Sequence, residues 1–198
     1  MNIANKLTVS RLVMAPLFFI AFHLPAWVGP KTAALSTILI IILWVLTELT
    51  DVLDGQLARR RNMVTDLGKV MDPFADTISR VTYFVCFVSA GMMPIWAFVL
   101  IIWRELSILF VRMLMMGSGL AVPANIWGKS KAVLYAISGG LGILYIALGT
   151  WASSSAALAV VGKTLTPIFG LSALASVISF LIYVKAAIQS GALASMSK

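Results

Sequence analysis

One cysteine, one histidine and seven acidic residues are all that this 198-residue chain holds of the side chains that most often do chemistry or bind metal. The lone cysteine, Cys86, excludes an internal disulfide and sits in an apolar run with no metal-ligand spacing around it. His23 stands alone near a turn, so a zinc site of His and Cys ligands is excluded. Charge is scarce as well. Only 11% of residues are charged, against about 25% in a soluble domain. Mean hydropathy is +1.00, and 61% of the chain is hydrophobic. The composition is that of an integral membrane protein. The net charge of +8 reads as the lysine and arginine bias of membrane loops. No basic stripe interleaved with aromatics accompanies it, so no nucleic-acid partner is expected.

Crossing a bilayer takes roughly 20 apolar residues. Six stretches qualify, at about 9–28, 32–57, 67–90, 93–116, 131–150 and 166–188. The breaks carry Pro25, Gly29-Pro30, Gly91 with Pro94, Gly117 to Gly119 with Pro123, and Ser153 to Ser155. The expected fold is all-α: one polytopic membrane domain over 1–198, with six transmembrane helices and a short interfacial helix at 2–8. With the N-terminus inside, Lys6, Arg11, Arg59, Arg60, Arg61, Lys69, Arg112, Lys129, Lys131, Lys185 and Lys198 fall on one side, and only Lys31 and Lys163 on the other. Both termini are therefore expected on the cytoplasmic side.

The acids are not spread evenly. Five of the seven lie between Asp51 and Asp76. Four form a spaced string: Asp51-x-x-Asp54-Gly55-x-x-Ala58-Arg59, eight residues, then Gly68-x-x-x-Asp72-x-x-x-Asp76. Carboxylates are costly at membrane depth and persist there mainly for function. At about 100° per residue, Asp51, Asp54, Gly55 and Ala58 share one face of the second helix, and Gly68, Asp72 and Asp76 one face of the third. A short connection makes the two helices antiparallel neighbours, so the faces meet near the cytoplasmic headgroups. Four carboxylates there need counter-charge. Oxygen-only donors favour Mg²⁺ or Mn²⁺, and four carboxylates suffice for two ions. Paired ions suit an in-line displacement at phosphorus. Gly55, Ala58 and Gly68 leave room for a ligand beside the ions, and Arg59 can grip phosphate bidentately.

This string resembles the signature of the CDP-alcohol phosphatidyltransferase family, D-x2-D-G-x2-A-R-x8-G-x3-D-x3-D, at every fixed position. Asn5-x-Leu7-Thr8-x-x-Arg11 with Pro16, Asp72-Pro73-x-Ala75-Asp76, Arg104-Glu105 followed by Arg112, and Gly128-Lys129-x-Lys131 resemble one branch, the bacterial phosphatidylglycerophosphate synthases. Thr77 and Ala132 depart from that branch, where Lys and Thr are typical. The resemblance implies a homodimeric six-helix enzyme of the bacterial inner membrane, with its site facing the cytoplasm. Such an enzyme transfers a phosphatidyl group from CDP-diacylglycerol to an alcohol and releases CMP. It further implies that Asp51, Asp54 and Asp72 bind metal and that Asp76 does so while serving as general base. Gly55, Ala58, Arg59 and Gly68 line the cytidine–diphosphate site. The acceptor expected first is sn-glycerol 3-phosphate, whose phosphate would meet Arg104, Arg112, Lys129 and Lys131. Serine or inositol phosphate as acceptor, and CDP-choline or CDP-ethanolamine chemistry, stay open within the family. A divalent-cation transporter is the reading from another class.

Overall fold

The computed structural model describes residues 3–60, 66–117 and 126–189; within them the side chains at 3–4, 54–60, 66–67, 69–70, 114–117, 126–127, 129, 187 and 189 lie outside the description. The described residues form six long helices and one 3-10 turn: α1 (Ile3–Trp27), the turn (Pro30–Thr32), α2 (Ala33–Arg60), α3 (Asp66–Ser89), α4 (Ile95–Gly117), α5 (Ile126–Trp151) and α6 (Ala156–Gln189). Among the described residues, four segments are long and apolar enough to cross a membrane: Asn5–Trp27, Pro30–Leu53, Ser130–Trp151 and Ala156–Ala186. Helices α3 and α4, of 24 and 23 residues, are set apart by the charges they carry, Asp72, Asp76 and Arg80 on one and Arg104, Glu105 and Arg112 on the other.

The connections are set by local chemistry. Gly29 has φ 129°, a conformation open to glycine and strained for other residues, and its carbonyl accepts from both the backbone N–H and Oγ1 of Thr32. Gly91 has φ 69° and donates to the Val88 carbonyl, while Met92 N–H reaches back to Phe87 O at 2.9 Å. That pattern closes α3 with a left-handed glycine. Ser155 caps α6 by accepting from Ala157 N–H at 3.1 Å.

Several boundaries differ from the sequence expectation. Among the described residues the N-terminus holds no separate interfacial helix, because residues 3–8 are the first turns of α1. No glycine interrupts them and the first proline is Pro16. Their buried residues Asn5, Thr8 and Arg11 continue the stripe of Ala15, Phe18 and Ala21. Pro25 lies inside α1 and does not end it. Helix α6 starts ten residues before 166 and runs through Lys163 and Pro167, since one lysine and two threonines weaken hydropathy but not helix formation. The antiparallel contact expected between α2 and α3 is also different. Among the described residues, α1 is the helix that packs extensively on both α2 and α3.

Helix α3 lies at the centre of the core. Its Tyr83, Phe84 and Phe87 meet Phe18 and Phe22 of α1, Tyr135 of α5 and Phe169 of α6, with edge-to-face contacts such as Phe84 on Tyr135 at 5.5 Å. Gly139 and Gly140 of α5 lie against Trp44 of α2, and a Cβ on Gly142 would stand 2.7 Å from the Phe87 ring. These glycines therefore serve packing inside one chain. Hydroxyls also join helices: Ser36 Oγ donates to Ala21 O at 2.7 Å, and Thr37 and Thr150 share a 2.9 Å bond.

Candidate active site

The acidic string is brought together by arginines. Arg11, on α1, is fully buried. Its Nη1 donates to Asp51 Oδ1 on α2 at 2.5 Å, and its Nη2 donates to Asp72 Oδ1 on α3. Arg80, one turn beyond Asp76 on α3, places Nη2 at 2.9 Å from Asp76 Oδ1 and 3.8 Å from Asp51 Oδ2. Three aspartates from two helices are thus tied into one group by two buried guanidinium ions. Their side chains remain 32%, 46% and 28% exposed for Asp51, Asp72 and Asp76, while the two arginines that hold them are buried. Glu48, one turn before Asp51, accepts a 3.4 Å bond from Tyr83 OH.

A second group lies deeper, among α4, α5 and α6. Glu105 accepts from Lys131 Nζ at 2.7 Å, from Tyr135 OH at 3.1 Å and from Arg104 Nη1 at 3.1 Å, and Arg104 Nη2 donates to Ser179 Oγ at 3.0 Å. All four charged and aromatic members are buried. The two groups meet at Tyr135, whose ring has Lys131 Nζ 4.7 Å and Arg80 Cζ 5.7 Å from its centre.

The sequence-predicted residues divide accordingly. Asp51, Asp72 and Asp76 come together, with Gly68 one turn before Asp72 on the same helix. Arg104 and Lys131 also come together, but onto Glu105, while Arg112 is exposed eight residues further along α4. The side chains at Asp54, Gly55, Ala58, Arg59 and Lys129 lie outside the described residues. Sequence reasoning missed Arg11 as the bridge, Arg80 as the partner of Asp76, and Tyr135 as the junction. For Arg11 a signal existed: Asn5, Thr8 and Arg11 prolong the buried spacing of Ala15, Phe18 and Ala21.

Does this donor set fit the divalent ions expected? Among the described residues, no three His, Cys, Asp or Glu side chains converge as a formed metal cage; Asp51 and Asp72 are taken up by Arg11, and Asp76 by Arg80. The chemistry of the set nevertheless fits. It is oxygen-only, half-exposed and carries three carboxylates against two guanidinium ions before Asp54 is counted.

A bundle of long apolar helices whose part-exposed carboxylates are held together by buried arginines defines an integral membrane protein with a polar site. Residues 1–188 match the model of the CDP-alcohol phosphatidyltransferase family, and the chain belongs to that family. The match extends past the motif segments, which end near residue 135. The chain is 35% identical over 140 residues to CDP-diacylglycerol–glycerol-3-phosphate 3-phosphatidyltransferase of Treponema pallidum, covering 68% of this chain and 65% of the relative. It is 33% identical over 135 residues to the enzyme of that name from Bacillus subtilis, covering 66% and 70%. A third, from Rickettsia bellii, is 28% identical over 185 residues, covering 93% and 94%. The chain thus spans about two thirds of the length of the first two relatives.

Proposed function

We propose that this protein transfers a phosphatidyl group from CDP-diacylglycerol to sn-glycerol 3-phosphate, giving phosphatidylglycerophosphate and CMP. The observation that carries the reading is the clustering of the part-exposed carboxylates of Asp51, Asp72 and Asp76 through Arg11 and Arg80. The names of the relatives support the same donor and acceptor. In the reaction the acceptor hydroxyl forms a new P–O bond to the lipid-bearing phosphorus. The P–O–P bridge to CMP breaks, and the hydroxyl proton passes to Asp76. Arg80 holds that carboxylate in place. Asp51, Asp54, Asp72 and Asp76 would hold two Mg²⁺ or Mn²⁺ ions, which when bound supply the positive charge that neutralises the diphosphate and the leaving CMP. Gly55, Ala58, Arg59 and Gly68 would line the cytidine–diphosphate site.

The acceptor is anionic in this reading. Arg104 and Lys131 carry two positive charges against the one negative charge of Glu105, which leaves a net +1 inside the bundle. With Arg112 and Lys129 toward the α4–α5 connection, that end of the bundle attracts a phosphate. All six helices cross the membrane in this account: α3 and α4, at 24 and 23 residues, are about 35 Å long at 1.5 Å per residue. Both termini and the site face the cytoplasm, and the protein works as a homodimer in the bacterial inner membrane. Membranes carrying the protein, given labelled CDP-diacylglycerol with Mg²⁺ or Mn²⁺ and an equal mixture of glycerol 3-phosphate, serine and inositol phosphate, should form phosphatidylglycerophosphate first. A product with another headgroup overturns the acceptor; no CMP with any acceptor overturns the reaction.

A further inference from the structure

The structure assigns a positioning role to Arg11, a motif position outside the acidic string: from a third helix, it sets the spacing of Asp51 and Asp72 as one ligand unit. The argument starts from cost. A fully buried guanidinium, on a helix face shared with Asn5, Thr8, Ala15, Phe18 and Ala21, is expensive unless its charge is met. It is met by two carboxylates on two different helices, one at each terminal nitrogen. Helices α2 and α3 rest mainly on α1. The distance between Asp51 and Asp72 is therefore set through the rigid fork of one side chain on that shared helix. A planar fork with separate nitrogens holds two carboxylates in one geometry; a lysine ammonium, a single point, does not.

This inference rests on the divalent-cation reading above, and its test separates the two. Mn²⁺ binding to the purified full chain in detergent is measured by electron paramagnetic resonance, below the melting temperature of each variant. Wild type is compared with Arg11→Lys, which keeps the charge and loses the fork, and Arg11→Met, which loses both. The expected result is Mn²⁺ affinity about tenfold weaker in Arg11→Lys, and weaker again in Arg11→Met, with an altered Mn²⁺ spectrum in each. If Arg11 were only a counter-charge, Arg11→Lys would bind as wild type does and Arg11→Met would bind more tightly; that result overturns the inference. Melting temperatures that fall with Mn²⁺ affinity unchanged, or variants that do not fold at all, make Arg11 a residue of the fold and overturn it too. Wild type that takes up no Mn²⁺ instead overturns the cation reading itself.

Discussion

Asp76 is the residue on which the proposed chemistry turns. It sits 2.9 Å from Arg80 with its side chain 28% exposed, four residues after Asp72. A positioned general base contributes about 10²- to 10⁴-fold. Asp76→Asn should lower the rate of CMP release by that factor while the protein still melts as a folded species. A loss smaller than about tenfold would remove Asp76 from the base role. Arg80 makes a different prediction. It is buried between Asp76, Asp51 and the ring of Tyr135. Removing one partner of a buried pair costs about 3–5 kcal/mol. Arg80→Met should therefore lower unfolding stability in detergent by about that amount as well as activity. The aspartates were legible from the sequence because carboxylates stand out in an apolar chain. Arg80 stands four residues after Asp76 on the same helix, a spacing the sequence carries, whereas the pairing of Arg11 with Asp51 and Asp72 depends on which helices touch.

At the scale of the helix, the site is a consequence of α1 and α3. Helix α1 carries Arg11 between two acidic helices, and α3 carries both Asp72 and Asp76 on one face and the aromatic centre of the core on its other half. The contact of α5 on α3 is close because Gly142 has no side chain to meet Phe87. A Cβ there would stand 2.7 Å from the ring, whereas one on Gly149 meets nothing within 4 Å. Overpacking costs about 1–3 kcal/mol. Gly142→Ala should be destabilising by that amount and Gly149→Ala close to neutral, as read by thermal unfolding in one detergent. The run of hydropathy revealed six helices and most turns. It did not reveal that α1 begins at Ile3 or that α6 begins at Ala156, because polar residues at 5, 8, 11, 163 and 164 lower hydropathy while remaining compatible with a helix. The partners of Gly139, Gly140 and Gly142 were not legible, since sequence spacing carries no information on which helix lies opposite.

Across the molecule, the buried charges of the described residues, Arg11, Arg80, Arg104, Glu105 and Lys131, fall in two groups joined at Tyr135. One holds the part-exposed aspartates; the other, around Glu105, ties α4, α5 and α6 together. Glu105→Leu would leave Arg104 and Lys131 buried around a missing anion, and a loss of about 3–5 kcal/mol is expected in unfolding experiments. The Arg104-Glu105 pair was visible in the sequence as charge at membrane depth. Its partners Lys131 and Tyr135, 26 and 30 residues further on, became visible only in the fold.

The most direct test of the account is CMP release from CDP-diacylglycerol in the presence of glycerol 3-phosphate and Mn²⁺, compared between wild type and Asp72→Asn. Steady release by the wild type, falling by at least about 10²-fold in a variant that still folds, is the predicted result. Equal release by both proteins would contradict it, because the half-exposed carboxylate held by Arg11 would then have no part in the chemistry.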